Sequence, residues 1–138
     1  MIVDSSVWVD FLSRKPSAIA RSVRSFLESG GTVFLTAIIL QEVLQGARDE
    51  TQLTSLDRVL SAFPLCEPSD AREVARKAGE MYARCRWKGT TIRSPNDCMI
   101  AAVAIDHGQP VMTLDRDFHF LRSIDPSLNA SFESSHQI

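Results

Sequence analysis

The chain has 138 residues, 44% of them hydrophobic and 23% charged, which is enough apolar material for one compact domain that needs no disulfide staple. A count of 15 Lys+Arg against 17 Asp+Glu gives a formal net charge of −2, which excludes a bulk, histone-like attraction for polyanions but not a local basic patch. No run reaches the roughly 20 apolar residues of a membrane span. Asp4 and Asp10 stand where a secretory leader needs positive charge followed by apolar residues, so the expectation is a cytoplasmic protein with no membrane partner. Cys66, Cys85 and Cys98 are odd in number, widely spaced and without a C-x-x-C pair, a pattern that predicts reduced core thiols rather than disulfides or a zinc site.

In chain order, Ile2-Val3 reads as a very short strand ending at Asp4, and Ser5-Ser6 open an amphipathic helix over Val7 to Leu12. Pro16-Ser17 start a second helix that runs to Ser29, with Ile19, Val23, Phe26 and Leu27 on one stripe and Gly30-Gly31 as its stop. Thr32 to Leu35 predicts a second strand, Ala37 to Gln45 a helix closed by Gly46, and Thr51 to Phe63 a further helix. Pro64-Leu65-Cys66 reads as a third strand. Asp70 caps a long helix to Arg86, and Gly89 to Ser94 form a polar, basic loop. Pro95 then starts a helix whose body, Cys98 to Ile105, is apolar on every side and therefore buried. Val111 to Leu114 is a fourth strand running into Asp115-Arg116-Asp117, and the tail from about 126 reads as an edge strand with frayed residues after it. Strands alternating with helices predict an α/β domain over 1–138 with a mostly parallel, helix-covered sheet, free of repeats or linkers.

In such a sheet the ligand crevice lies outside the carboxyl ends of the strands. Asp4 ends the first strand, Asp97 opens the buried helix, and Asp115 and Asp117 follow the fourth strand. Glu42 joins them because it interrupts an apolar helix stripe between Ile38, Ile39, Val43 and Leu44. Taken singly, Asp4 and Asp97 also read as helix caps or first-turn acids, Asp115 and Asp117 as turn residues, and Ser6 as a plain N-cap. Together, four or five converging carboxylates repel one another unless cations or protons neutralise them. With no His and no Cys pair beside them, such hard oxygen donors suit Mg²⁺ or Mn²⁺ rather than zinc, and the chemistry that fits is metal-assisted phosphoryl transfer. Setting those five acids aside leaves the rest of the chain net positive.

Four blocks carry a resemblance: Met1 to Asp10 around Asp4 and Ser6, Thr36 to Gly46 around Glu42, Lys88 to Ala102 around Asp97, and Leu114 to Phe118 around Asp115 and Asp117. In this order and at these separations they resemble the acidic motifs of PIN-domain ribonucleases, most closely the VapC-type toxins of bacterial type II toxin–antitoxin modules. The resemblance runs from residue 1 to about residue 121. It implies a PIN-like fold, a mostly parallel central sheet sandwiched by helices, and Mg²⁺-dependent endoribonuclease activity in which Mn²⁺ substitutes. By position it makes Asp4, Glu42, Asp97 and Asp115 the catalytic acids, adds Asp117 to the metal set and leaves Ser6 supporting. It further implies an RNA substrate (tRNA, rRNA or mRNA), a homodimer and inhibition by a VapB-type antitoxin.

Between Arg72 and Arg93 seven basic side chains stand against only Glu73 and Glu80, and the run leads into Asp97. Arg86, Lys88 and Arg93 are the candidates for seating an RNA backbone, while Arg72, Arg76 and Lys77 read as a solvated helix face. Trp8 beside Phe11 and Leu12 reads as core or dimer packing; Trp87, amid Arg86 and Lys88, reads equally as a base-stacking platform or a surface residue. Met81 and Met99 read as core fillers, and His107, His119 and His136 carry no partner at ligand spacing. Two other readings stay open: a phosphoacceptor receiver-type signalling domain, which wants a Lys near the last strand whereas none follows Lys88, and a non-catalytic α/β binding module.

Overall fold

The computed structural model describes residues 1–131. Its elements are β1 (Ile2–Val3), α1 (Ser5–Phe11), α2 (Ala18–Glu28), α3 (Ala37–Gln45), α4 (Glu50–Leu60), α5 (Ala71–Trp87), α6 (Pro95–His107), β2 (Val111–Met112), α7 (Asp117–Ile124) and β3 (Ala130–Ser131). The sheet is parallel throughout. β1 pairs with β2 in the register Ile2↔Val111 and Val3↔Met112, and β2 pairs with β3 in the register Val111↔Ala130 and Met112↔Ser131.

The expected strands over Thr32–Leu35 and Pro64–Cys66 are reduced to isolated parallel bridges, Ile2↔Phe34 and Leu35↔Leu65. Chemistry on either side cuts them short. Thr36 is already the N-cap of α3, its Oγ1 accepting from the Ile39 N–H at 3.2 Å, and Pro64 has no N–H to give a ladder. The backbone bonds that remain still place Phe34-Leu35 beside β1, through Phe34 N–H to Met1 O at 2.8 Å, and Pro64–Cys66 beside Leu35, through Leu35 N–H to Pro64 O at 2.9 Å and Cys66 N–H to Leu35 O at 2.7 Å. Chain order across the sheet therefore runs away from β1 on both sides, to Phe34-Leu35 and Leu65 on one and to β2 and β3 on the other. The reversal falls between β1 and β2, where an α/β sheet opens its crevice.

Helix boundaries follow cap chemistry. α4 starts at Glu50 because Asp49 caps it, accepting from Gln52 N–H at 2.8 Å, and it ends at Leu60, short of the expected Phe63. α5 has Asp70 as its cap, with Glu73 N–H at 3.0 Å, and α6 has Pro95 in its first turn and Gly108 in the left-handed region (φ 61°) as its stop. At Gly31 a Cβ would strike the Phe26 ring.

The core is built from both ends of the chain. Trp8 is fully buried, edge-on to Phe11 (centroids 5.6 Å apart) and Phe63 (4.9 Å), so it is a packing residue. Along α6, Cys98, Ile100, Ala101, Ala102, Val103 and Ala104 are buried, and α6 packs against α3, α5 and α7. Cys66, Cys85 and Cys98 are free and buried, Met81 is buried and Met99 partly so. The edge strand expected in the tail is β3; residues 132–138, with His136 and the expected frayed end, lie outside the described residues.

Candidate functional site

β1 ends in a hydrogen-bonded knot around Asp4, which is 2% exposed. Asp4 is the N-cap of α1: its Oδ1 accepts from the Ser5 N–H at 2.8 Å. Its Oδ2 accepts from Ser6 Oγ at 2.8 Å and from Thr113 Oγ1 at 3.0 Å. The cap reading and the site reading of Asp4 thus hold together, and the cap reading of Ser6 gives way, because Ser6 sits inside α1. Ser6 Oγ instead accepts from the Leu114 N–H at 3.1 Å and so ties the end of β1 to the end of β2.

Thr113 follows β2 as Asp4 follows β1, and the register Val3↔Met112 sets the two side by side. Fully buried, it also accepts from the Asp115 N–H at 2.9 Å, which aims the next acid. Asp115 Oδ1 in turn accepts from the Asp117 N–H at 2.9 Å, starting α7. Asp117, 5% exposed, is held from the other side by the Arg93 N–H, 2.8 Å from its Oδ2. Asp97 enters from the first turn of α6, where Ser94 is the N-cap and makes no side-chain cap bond. Asp97 is 4% exposed, and its Oδ2 finds no hydrogen-bond partner. A buried carboxylate oxygen without a donor is costly unless a cation or a proton meets it.

Carboxylate oxygens of Asp97, Asp115 and Asp117 lie within 4.8 Å of one another. Asp4 and Glu42 fall outside that tightest group and adjoin it. Glu42 reaches from α3, half-buried, its Oε1 accepting from Ser5 Oγ at 3.3 Å, with Asn96 as a second hydrogen-bond partner. The electrostatics record the crowding. Burial, then the charges of Asp4 and Asp115, push Asp97 up to about 8. Burial also raises Asp4 against the pull of its Ser6, Thr113 and Ser5 hydrogen bonds, and burial and the charge of Asp4 raise Glu42. All five predicted acids therefore meet at the sheet's switch point, in an all-oxygen donor set that a hard cation would neutralise.

Ser5, Asn96 and Thr113 were not anticipated. Ser5 and Asn96 hide next to louder neighbours, Asp4 and Asp97. A signal for Thr113 did exist: it is a polar residue in the apolar strand pattern Val111-Met112-Thr113-Leu114, aligned with Asp4 once Ile2-Val3 is paired with Val111-Met112.

The basic run divides. Arg76 pairs with Glu73 (2.6 Å) and Glu80 (2.8 Å), Arg84 with Glu80 (2.9 Å) and Lys77 with Asp125 (2.8 Å), as a helix face would. Arg93 is drawn into the acidic cluster, its Nη2 2.8 Å from Asp115 Oδ1 and its Nε 3.5 Å from Asp117 Oδ2. Arg86 and Lys88 are exposed at the end of α5, and neither is ion-paired among the described residues; Trp87 between them is 73% exposed. His107 contacts the Glu67 carbonyl at the opposite end of α6 from Asp97 and takes no part in the site.

Three comparisons bear on this arrangement. The PIN domain family model matches residues 1–122. Ribonuclease VapC11 of Mycobacterium tuberculosis is 35% identical over 133 residues, which cover 96% of this chain and 98% of that protein. Two solved structures share the fold at lower identity. VapBC2 from Rickettsia felis, bound to a DNA fragment, has a TM-score of 0.73 and 21% identity over 95% of this chain and 96% of that one. DNA-bound VapBC from Salmonella typhimurium has a TM-score of 0.73 and 24% identity over the same shares.

Proposed function

Because the chain belongs to the PIN domain family and is a ribonuclease of the VapC kind, we propose that its acidic crevice hydrolyses RNA phosphodiester bonds with the help of Mg²⁺ or Mn²⁺. The observation that carries this reading is the buried, unpartnered Asp97 Oδ2, whose carboxyl burial and the charges of Asp4 and Asp115 push well above the usual carboxylate range. Asp97, Asp115 and Asp117 would hold the ion, with Asp4 and Glu42 completing the set. A divalent ion bound there would supply Lewis-acid polarisation of the scissile phosphate and a bound water more acidic than bulk water.

What the chain itself contributes is positioning. Ser6 and Thr113 hold Asp4 in one rotamer, Thr113 and the Asp117 N–H orient Asp115, and the main chain of Arg93 orients Asp117. Arg86, Lys88 and Arg93 would seat the RNA backbone beside the acids. The fold neighbours are solved as VapBC assemblies, which supports a VapB-type antitoxin as the partner, and a homodimer in the cytoplasm completes the proposal. Among the described residues no helix is long and apolar enough to cross a membrane.

The test is cleavage of RNA by the purified chain with Mg²⁺ or Mn²⁺ and with EDTA, alongside Asp4→Ala and Asp97→Ala. Cleavage that needs the ion, fails in both variants and leaves 5′-phosphate and 3′-hydroxyl ends is expected, since activated water attacks the phosphorus. Metal-indifferent cleavage or 2′,3′-cyclic phosphate ends would overturn the proposal.

A further inference from the structure

Five acids gather at the crevice, and among the described residues one basic side chain, Arg93, forms ion pairs with them. It holds them in two ways of different strength. Its main-chain N–H donates to Asp117 Oδ2 at 2.8 Å, a bond fixed by the loop that leads into α6. Its guanidinium reaches Asp115 Oδ1 at 2.8 Å and Asp117 Oδ2 at 3.5 Å, yet the side chain is 69% exposed, so this second hold is solvent-facing and weak. One positive charge also falls short of the need, because Asp97 Oδ2 stays unpartnered beneath.

We infer that the Arg93 guanidinium is an exchangeable counter-ion: it covers Asp115 and Asp117 while no divalent cation is bound, and once one binds it transfers to the RNA phosphate next to the acids. The transfer needs no backbone movement, since the main-chain N–H keeps its hold on Asp117 while the side chain turns. The geometry of the new partner suits it too, because the planar fork that matches a carboxylate also matches a phosphate. Arg86 and Lys88, which pair with no acid among the described residues, lack this coupling. The first half of the inference stands on the ion pairs alone; the second half rests on the ribonuclease reading above.

The experiment measures Mn²⁺ binding without RNA, by the signal of free Mn²⁺ in electron paramagnetic resonance, for the parent, Arg93→Gln and Arg93→Lys. RNA cleavage at saturating Mn²⁺ is then followed for the same three proteins. Removing the competing charge should tighten Mn²⁺ binding by about fivefold in Arg93→Gln, the order expected for one unit charge near a divalent ion in a water-like dielectric. Cleavage by the same variant should be at least about tenfold slower, the loss expected for one hydrogen bond to a charged phosphate. Arg93→Lys keeps the charge and should stay within about twofold of the parent in Mn²⁺ binding and recover part of the rate. Tighter binding with slower cleavage is a signature that a merely structural role does not produce, since local damage would weaken both. Every variant keeps the main-chain bond to Asp117 and so keeps the loop. Mn²⁺ binding that is unchanged or weaker in Arg93→Gln overturns the inference. A parent that binds Mn²⁺ with the predicted charge dependence but cleaves no RNA overturns the ribonuclease reading and the phosphate half, and leaves the counter-ion exchange in place.

Discussion

Asp97→Asn isolates the strain stored in the acidic crevice. In the unfolded chain Asp97 titrates near 3.8; in the fold, burial and the charges of Asp4 and Asp115 push it up to about 8. The sign follows from proton counting. Between pH 4 and pH 8 the metal-free folded state holds a proton that the unfolded state has released, so stability falls as pH rises through that window and levels off above it. At about 1.4 kcal/mol per pH unit, the penalty reaches at most about 4 kcal/mol at pH 7. Sharing the proton among coupled carboxyls should bring it to about 2 kcal/mol. Asn removes the titration while retaining a group that hydrogen-bonds to Asp115.

The variant should therefore be inactive yet more stable than the parent in EDTA, with a Tm about 8 °C higher at pH 7.5 and a gap that closes towards pH 4. Mn²⁺ should raise the Tm of the parent far more than that of the variant. Thermal unfolding at several pH values, with EDTA and with Mn²⁺, measures all of this. An Asn variant less stable than the parent in EDTA, or a gap that does not change with pH, would show that Asp97 is not held under electrostatic strain.

Two further outcomes test the frame around the acids. Thr113→Val removes the hydroxyl that donates to Asp4 and accepts from the Asp115 N–H, leaving the buried Asp4 carboxylate and the half-buried Asp115 N–H each short of a bond. It should cost about 1–3 kcal/mol and slow cleavage at least about tenfold, whereas Thr113→Ser should stay near the parent. Equal losses in Ser and Val would point to packing instead. Neutralising Arg86, Lys88 and Arg93 together should lower the slope of log affinity against log salt for single-stranded RNA by up to about 2, and an unaltered slope would remove them from the RNA path.

The nearest-neighbour chemistry of this chain was open to reading in one dimension. Caps at Asp70 and Thr36, the stops at Gly46 and Gly108 and the all-apolar body of α6 each depend on residues within one helical turn, and α3 and the start of α6 lie where those signals put them. The five acids were legible for a related reason: each sits at the end of a strand or the start of a helix, or, as Glu42 does, breaks an apolar stripe. What the one-dimensional pattern could not supply was pairing. Whether Thr32–Leu35 and Pro64–Cys66 form full strands depends on how many ladder bonds survive between a helix cap and a proline, and what survives is one bridge to Ile2 and one between the two segments.

Thr113 became a site residue through its register opposite Asp4, across 109 positions of sequence. Arg93 began as one basic residue among seven and was singled out when the loop before α6 folded onto Asp117 and set its guanidinium on Asp115. Net charge is a sum over the chain and carries no positions. Tertiary structure decided where the charges meet, and among the described residues it set five acids against one ion-paired cation in one crevice, with Asp97 Oδ2 buried and unpartnered. Coulomb interactions and burial act through distance in space, and that distance exists only once the strands have paired.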